Sequence, residues 1–291
     1  MNILTFDIEE WYIEKLYFGN HAEKYKEFDR YLGEILDTLD ELNLKGTFFC
    51  VGGLGREFPD VVKHIAERGH EVGCHSDVHT WLNKMTPEEC LTDTRTAVDS
   101  LEQVIGKKVK SFRAPAFSIG ASNKWAFEVL TECGIERDAS IFPAVRDFGG
   151  FAEFGQKTPA IIRYNGIELK EFPICTARLF GKEIAYSGGG YFRFFPLWYV
   201  MKEMARTDYS MTYFHIGDLI PESRLFSREK YEEYFKEPGT LKVRYIRYLK
   251  SSIGKKSAFD KLKTLFRTTD FINLEQASCQ IDWTNAPVVK L

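Results

Sequence analysis

Glu71-Val-Gly-Cys-His-Ser-Asp-Val-His79 passes from a short apolar run straight into polar, ion-binding side chains. The run reads as a strand, and the histidines stand at its end. The same form recurs along the chain. Asn2-Ile-Leu-Thr-Phe-Asp-Ile8 breaks off into Asp7, Glu9 and Glu10, and Gly46-Thr-Phe-Phe-Cys-Val-Gly52 ends on glycine. Lys110-Ser-Phe-Arg-Ala-Pro115 ends on Arg113, and Ser210-Met-Thr-Tyr-Phe-His-Ile216 ends on His215. Helical patterns lie between these strands. Phe28, Leu32, Ile35, Leu36, Leu39 and Leu42 repeat at helical spacing, Pro59 to Arg68 is stopped by Gly69, and Thr86-Pro-Glu-Glu89 is a capping box opening a helix to about Ile105. Ser122 to Cys133 is a further helix, as is Phe195 to Arg206; Glu168 to Ile174 is a strand, and Tyr186-Ser-Gly-Gly-Gly190 is a glycine hinge ahead of aromatics. Repeated β–α units predict an α/β fold whose parallel strands bring their polar ends to one mouth.

Composition narrows the class without naming it. The chain has 291 residues, a net charge of -3 and an ordinary charged fraction, so nothing favours nucleic acid as a partner. The six cysteines show no paired spacing, and several sit in apolar strand-like runs, which predicts reduced, buried thiols. The N-terminus reaches an acid by Asp7 without a basic start or long apolar run, so a cytoplasmic location is the expectation.

Each polar strand end has a plain alternative. His75 and His79 stand four apart, neighbours on a helical turn, where two imidazoles and a carboxylate would leave an open position on a metal; such pairs also arise by chance. Asp7 is equally a turn acid, and Glu9 and Glu10 a solvated helix start. Arg113 in an apolar strand demands a partner, structural or catalytic. His215 also fits a hydrogen-bonded core histidine.

In order, Thr5-Phe-Asp7, His75-Ser-Asp-Val-His79, Phe112-Arg-Ala-Pro115, Asp138-Ala-Ser-Ile-Phe-Pro143 and Tyr213-Phe-His215 resemble the five motifs of the polysaccharide deacetylase family (carbohydrate esterase family four, the NodB homology domain), over roughly residues 1–220. Phe-Arg-Ala-Pro-Ala-Phe-Ser-Ile and Ser-Gly-Gly-Gly-Tyr-Phe-Arg further resemble a subgroup tied to bacterial surface or exopolysaccharide synthesis. The resemblance implies a distorted (β/α) barrel of about seven strands over residues 1–225, with 226–291 as a helical extension packed on it rather than an independent domain. It implies a divalent metal, usually zinc, on His75 and His79. Asp7 matches the catalytic base, Arg113 the arginine that keeps that aspartate charged and oriented, His215 the general acid, and Asp138 the acid that steadies such a histidine. Ala116 and Phe117, after the Arg-Ala-Pro run, match the oxyanion-stabilising and substrate position. The implied reaction removes N-acetyl groups, less readily O-acetyl groups, from a saccharide that is free or lipid-linked.

Two departures from the family pattern stand out. Ile8 occupies the place of the usual second aspartate, the third metal ligand, which passes the role to Glu9 or else Glu10; strand alternation favours Glu9, on the same side as Asp7. Ile216-Gly217 replaces the Pro-Trp often found after the histidine. A site degraded by the lost aspartate, leaving a carbohydrate-binding protein, is the alternative, as is hydrolysis of a non-sugar C–N bond. Residues 242–267 carry nine Lys or Arg against Asp260 alone, with Tyr245, Ile246, Leu249, Phe259, Leu262, Leu265 and Phe266 placed to seat helices on the barrel. Contact of this segment with an anionic membrane is the functional expectation, solvated amphipathic helices the plain one, and a homo-oligomer is compatible with either.

Overall fold

The structure is a computed structural model that describes residues 1–145, 149–179, 181–235 and 237–291. Its strands are β1 (Asn2–Ile3), β2 (Thr5–Ile8), β3 (Thr47–Cys50), β4 (Glu71–Cys74), β5 (Ser111–Phe112), β6 (Arg137–Asp138), β7 (Ala160–Tyr164), β8 (Ile167–Glu171), β9 (Thr176–Leu179), β10 (Lys182–Ala185), β11 (Ser210–Met211), β12 (Phe214–His215) and β13 (Val288–Lys290). The main sheet runs β12-β2-β3-β4-β5-β6-β8-β7-β13. Its first seven members pair parallel throughout, with β1–β11 continuing the β2–β12 pair. Helices cross over between the parallel strands, as that connection requires. Among them are Ala22–Glu41, Pro59–Glu67 and Pro87–Ile105, the last opened by the expected Thr86/Glu89 capping box.

The sheet curls toward closure, and side chains rather than a ladder bridge the gap. Beyond β8 the chain still pairs with the β6 side through Phe172 N to Asp138 O and Ile174 N to Ile141 O. On its other side Tyr209 Oη donates to Pro173 O (2.7 Å), and Met211 N donates to Cys175 Sγ (3.1 Å). This is the α/β barrel of about seven strands, distorted at that seam. All six cysteines are free thiols; Cys50, Cys74, Cys90 and Cys175 are buried, Cys133 is half-buried and Cys279 is exposed.

Three local expectations are corrected. Asn165-Gly166, both at positive φ, turn β7 back onto β8 as an antiparallel hairpin that apolar alternation alone did not reveal. The chain's last residues are not only helical, because β13 adds to β7 in parallel. His70, which without a motif around it reads as an ordinary surface or turn residue, is buried; Gly46 N donates to its Nδ1, and burial lowers its pKa to about 4.

Candidate functional site

The parallel register sets the first pair of groups side by side. Asp7 on β2 lies directly opposite His215 on β12, and His215 Nε2 is 3.8 Å from Asp7 Oδ2. Arg113 follows β5 and is fully buried. Its Nη1 donates to Asp7 Oδ1 (2.8 Å) and Thr5 Oγ1 (2.6 Å), its Nε to Ala139 O (3.2 Å), and its guanidinium lies 4.3 Å from the Phe49 ring centroid. A buried cation this fully partnered fixes the Asp7 carboxylate in place.

His75 and His79 converge, though not on a helical turn. The segment after β4 is a loop, and Ser76 and His79 both take left-handed φ of 61° to bend it. Asp77 secures the bend through Arg56, whose two terminal nitrogens meet its carboxylate at 2.6 and 2.8 Å. Glu9 Oε2 lies 2.5 Å from His79 Nε2 and 3.5 Å from His75 Nε2. Glu10 points elsewhere and receives Gly217 N; burial raises its pKa to about 7.

The donor set suits a divalent ion. One ligand atom from each of Glu9, His75 and His79 lies within 4.8 Å of the others. His75 Nδ1 donates to Arg113 O (2.7 Å), which leaves the Nε2 lone pair turned toward Glu9. A lone pair facing a carboxylate is repulsive unless a cation lies between them. Glu9 Oε2, buried, receives no hydrogen bond of proper geometry despite its two imidazole neighbours. Burial raises the Glu9 pKa, but His79, His75 and His215 outweigh it and hold the carboxyl well below its ordinary value.

The carboxylate against His215 is Asp218, not Asp138. Asp218 Oδ2 is 3.1 Å from His215 Nδ1, and Arg193 Nε is 3.1 Å from Asp218 Oδ1. Burial lowers the His215 pKa, yet Asp218, Glu9 and Asp7 together raise it well above the usual imidazole value. Asp138 instead accepts from Ser140 Oγ, which accepts Ala114 N (2.8 Å), so it props the loop after Arg113 from behind. That loop carries Ala116 and Phe117, each at a φ of 54°. A left-handed conformation costs an L-residue roughly 1–2 kcal/mol. The Phe117 N–H is donated to Ala114 O (3.0 Å).

Asp7, Glu9, His75, His79, Ala116, Phe117, His215 and Asp218 all line one cavity of about 670 Å³. Its wall was not read from the sequence as site: Trp81, Leu179, Ile184, Tyr191, Phe194 and Phe235 among others. Asp218 had a signal, an acid three residues past a strand-end histidine. Arg193 and Tyr191 lay in the Ser-Gly-Gly-Gly-Tyr-Phe-Arg run, which marked a subgroup but no role; the other aromatics had no signal, since phenylalanine is common away from sites. Gly188 lets the wall approach; a Cβ there would strike Tyr213 O.

Residues 3–137 match the family model of polysaccharide deacetylase, and residues 139–278 match a domain of unknown function, DUF3473. A peptidoglycan-N-acetylglucosamine deacetylase of Bacillus cereus is 32% identical over 107 residues, 37% of this chain and 39% of that protein. The peptidoglycan-N-acetylmuramic acid deacetylase PdaA of Bacillus subtilis is 28% identical over 109 residues, 35% of this chain and 41% of that protein. The alignments thus span about two fifths of these curated relatives. In fold, the chain is similar over its whole length to a Mycobacterium smegmatis protein assigned as a polysaccharide deacetylase, with a TM-score of 0.63, 17% identity and 92% of that chain covered. Residues 3–137, where Asp7, Glu9, His75, His79 and Arg113 all lie, thus form a polysaccharide deacetylase domain by the family model they match.

Proposed function

We propose that the protein is a metal-dependent deacetylase that removes N-acetyl groups from a saccharide. The observation that carries this is the meeting of three oriented units on one cavity floor: Glu9 with His75 and His79, Asp7 with Arg113, and His215 with Asp218. Glu9, His75 and His79 would hold the ion, zinc by the chemistry of its donors. When bound, the ion supplies a Lewis acid next to the acetyl carbonyl and lowers the pKa of a water.

The remaining work belongs to the chain. Asp7 takes the proton of the attacking water on its carboxylate, which Arg113 holds in place. His215 gives the proton from Nε2 to the departing amine nitrogen, while Asp218 on Nδ1 stabilises the charged ring. Ala116, on the bent loop that Asp138 and Ser140 support, faces the developing oxyanion. Aromatic walls offer flat apolar faces to sugar rings. The carboxylate missing at Ile8 is replaced by Glu9, which argues against a degraded site.

The test is metal content and acetate release from N-acetylated oligosaccharides, compared between the wild type and the His75→Ala/His79→Ala double variant. The wild type should carry about one divalent ion and release acetate, and the variant should do neither. Equal metal content in both would remove this site from the mechanism.

A further inference from the structure

Helix Leu241–Ser252 is built inside out. None of its residues is buried. Its arginines turn toward the protein: Arg244 donates to Gly239 O (3.1 Å) and Phe226 O (2.7 Å), and Arg247 pairs with Glu237 (2.9 Å) while its guanidinium lies 3.8 Å from the Phe235 ring centroid. The apolar residues take the outer side. Leu241, Tyr245 and Leu249 form one stripe at four-residue spacing, exposed by 67, 51 and 45%, with Ile246 beside it at 42%. The sequence pattern placed Tyr245, Ile246 and Leu249 on the barrel; the arginines hold the helix there instead. The next helix, Lys255–Thr268, behaves as expected and buries Ala258, Leu262, Leu265 and Phe266.

The exposed stripe continues to the cavity. Phe194 and Ile253 line its mouth and are themselves exposed, and Arg193 Nη1 joins their two segments by donating to Ile253 O (3.0 Å). Trp198, four residues past Phe194, is exposed by 66%. The helix itself carries cations and no acid: Lys242, Arg244, Arg247 and Lys250, the last also lining the cavity. Exposed apolar side chains mixed with lysines match the interface of an anionic bilayer, where apolar groups enter the acyl boundary and lysines meet headgroups. An acidic polymer would engage the lysines and leave the stripe wet. A second copy docked face to face would bring the same lysines toward each other.

We infer that this face docks the protein on an anionic lipid bilayer, with the cavity mouth at the membrane surface. It then acts on saccharides anchored in that bilayer, a consequence that rests on the deacetylase reading. Flotation of the full chain with vesicles of phosphatidylcholine, alone or mixed with phosphatidylglycerol, tests the docking at low and at physiological salt. The wild type should float with the anionic vesicles at low salt and less well with phosphatidylcholine alone. The Leu241→Ser/Tyr245→Ser/Ile246→Ser variant, none of whose positions lines the cavity, should lose about tenfold or more of that partition. Its melting temperature, and acetate release from a soluble substrate, should match the wild type. Lys242→Glu should weaken binding to the anionic vesicles alone. Flotation with no acetate release by the wild type would keep the docking and remove the deacetylase reading. A wild type that stays unbound at low salt, or a triple variant that floats equally well, overturns the docking. So does a dimer in light scattering that the triple variant dissolves without any flotation, which would assign the face to a second copy.

Discussion

The floor of the cavity is carried by strand ends and the loops just beyond them, whereas its wall is carried by segments that lie outside the parallel strands. Asp7, Arg113 and His215 sit within a residue of β2, β5 and β12, and their positions follow from sheet register. Leu179 and Ile184 belong to the β9–β10 hairpin, Tyr191 and Phe194 to helix Gly189–Phe194, and Tyr234 and Phe235 to helix Arg228–Phe235. Floor groups are polar, buried or half-buried, and each set against a charged or imidazole partner, which suits chemistry that tolerates little displacement. Wall groups are mostly apolar and partly exposed, which suits recognition of a bulky substrate. Substitutions on the floor should therefore act on turnover, and substitutions on the wall on binding.

The largest separation should come from Asp7→Asn. The amide keeps the shape and a contact to Arg113 but cannot accept the water's proton, so kcat should fall about 10²–10⁴-fold. Metal content should stay near that of the wild type, because the ion is assigned to Glu9, His75 and His79. Acetate release near the wild-type rate would show that proton transfer lies elsewhere.

Asp218→Asn should have the next largest effect. It exchanges a charge-assisted hydrogen bond to His215 for a neutral one, a difference of about 1–2 kcal/mol. That corresponds to about 5–30-fold in kcat. A matching loss in Asp138→Asn with Asp218→Asn unaffected would restore the role the motif order implied for Asp138. Tyr191→Ala belongs to the wall, and its effect should be smaller and fall on KM, about 2–10-fold for a lost aromatic contact. Steady-state kinetics on one oligosaccharide series separates the two outcomes, and a kcat effect from Tyr191 would dissolve the contrast between floor and wall.

The same contrast explains what could be read from the sequence. A polar side chain ending an apolar strand is conspicuous because burial without a partner is costly, so Asp7, His75, Arg113 and His215 stood out. Strand alternation favoured Glu9 over Glu10, and Glu9 is the acid that lies against His75 and His79. The loop from His75 to His79 was harder: four-residue spacing suggested a helical turn, and only the left-handed Ser76 and His79 show how the loop brings the rings together. Asp138 misled because its motif position said nothing about Ser140, which stands between it and the loop it supports. The wall stayed hidden because an aromatic side chain in a long irregular segment carries no sign of the face it will meet. Helix Leu241–Ser252 inverted the usual rule outright, with arginines inward and leucines outward.

Beneath the floor lies a third kind of group, whose substitution should touch stability more than either kcat or KM. Asp138 and Glu171 are both fully buried and interact directly. Glu171 Oε1 receives Ile141 N (3.1 Å), and the remaining oxygen of each acid has no hydrogen-bond partner. Two carboxylates in such a place cannot both ionise cheaply. Burial raises the Asp138 pKa to about 6; burial together with the neighbouring Asp138 charge raises that of Glu171 well above its ordinary value. Acids with raised pKa bind protons more tightly in the folded state than in the unfolded one. Their contribution to stability is therefore complete below the ordinary carboxylate range and declines as pH rises through about 6 and beyond. Glu171→Gln fixes the neutral form, so denaturant melts should lose part of this decline. At about pH 8 the variant should gain on the order of 1 kcal/mol over the wild type, and at about pH 5 the two should nearly coincide. Parallel stability profiles for variant and wild type would show that the pair is fully ionised, with Arg113 or bound water carrying its charge.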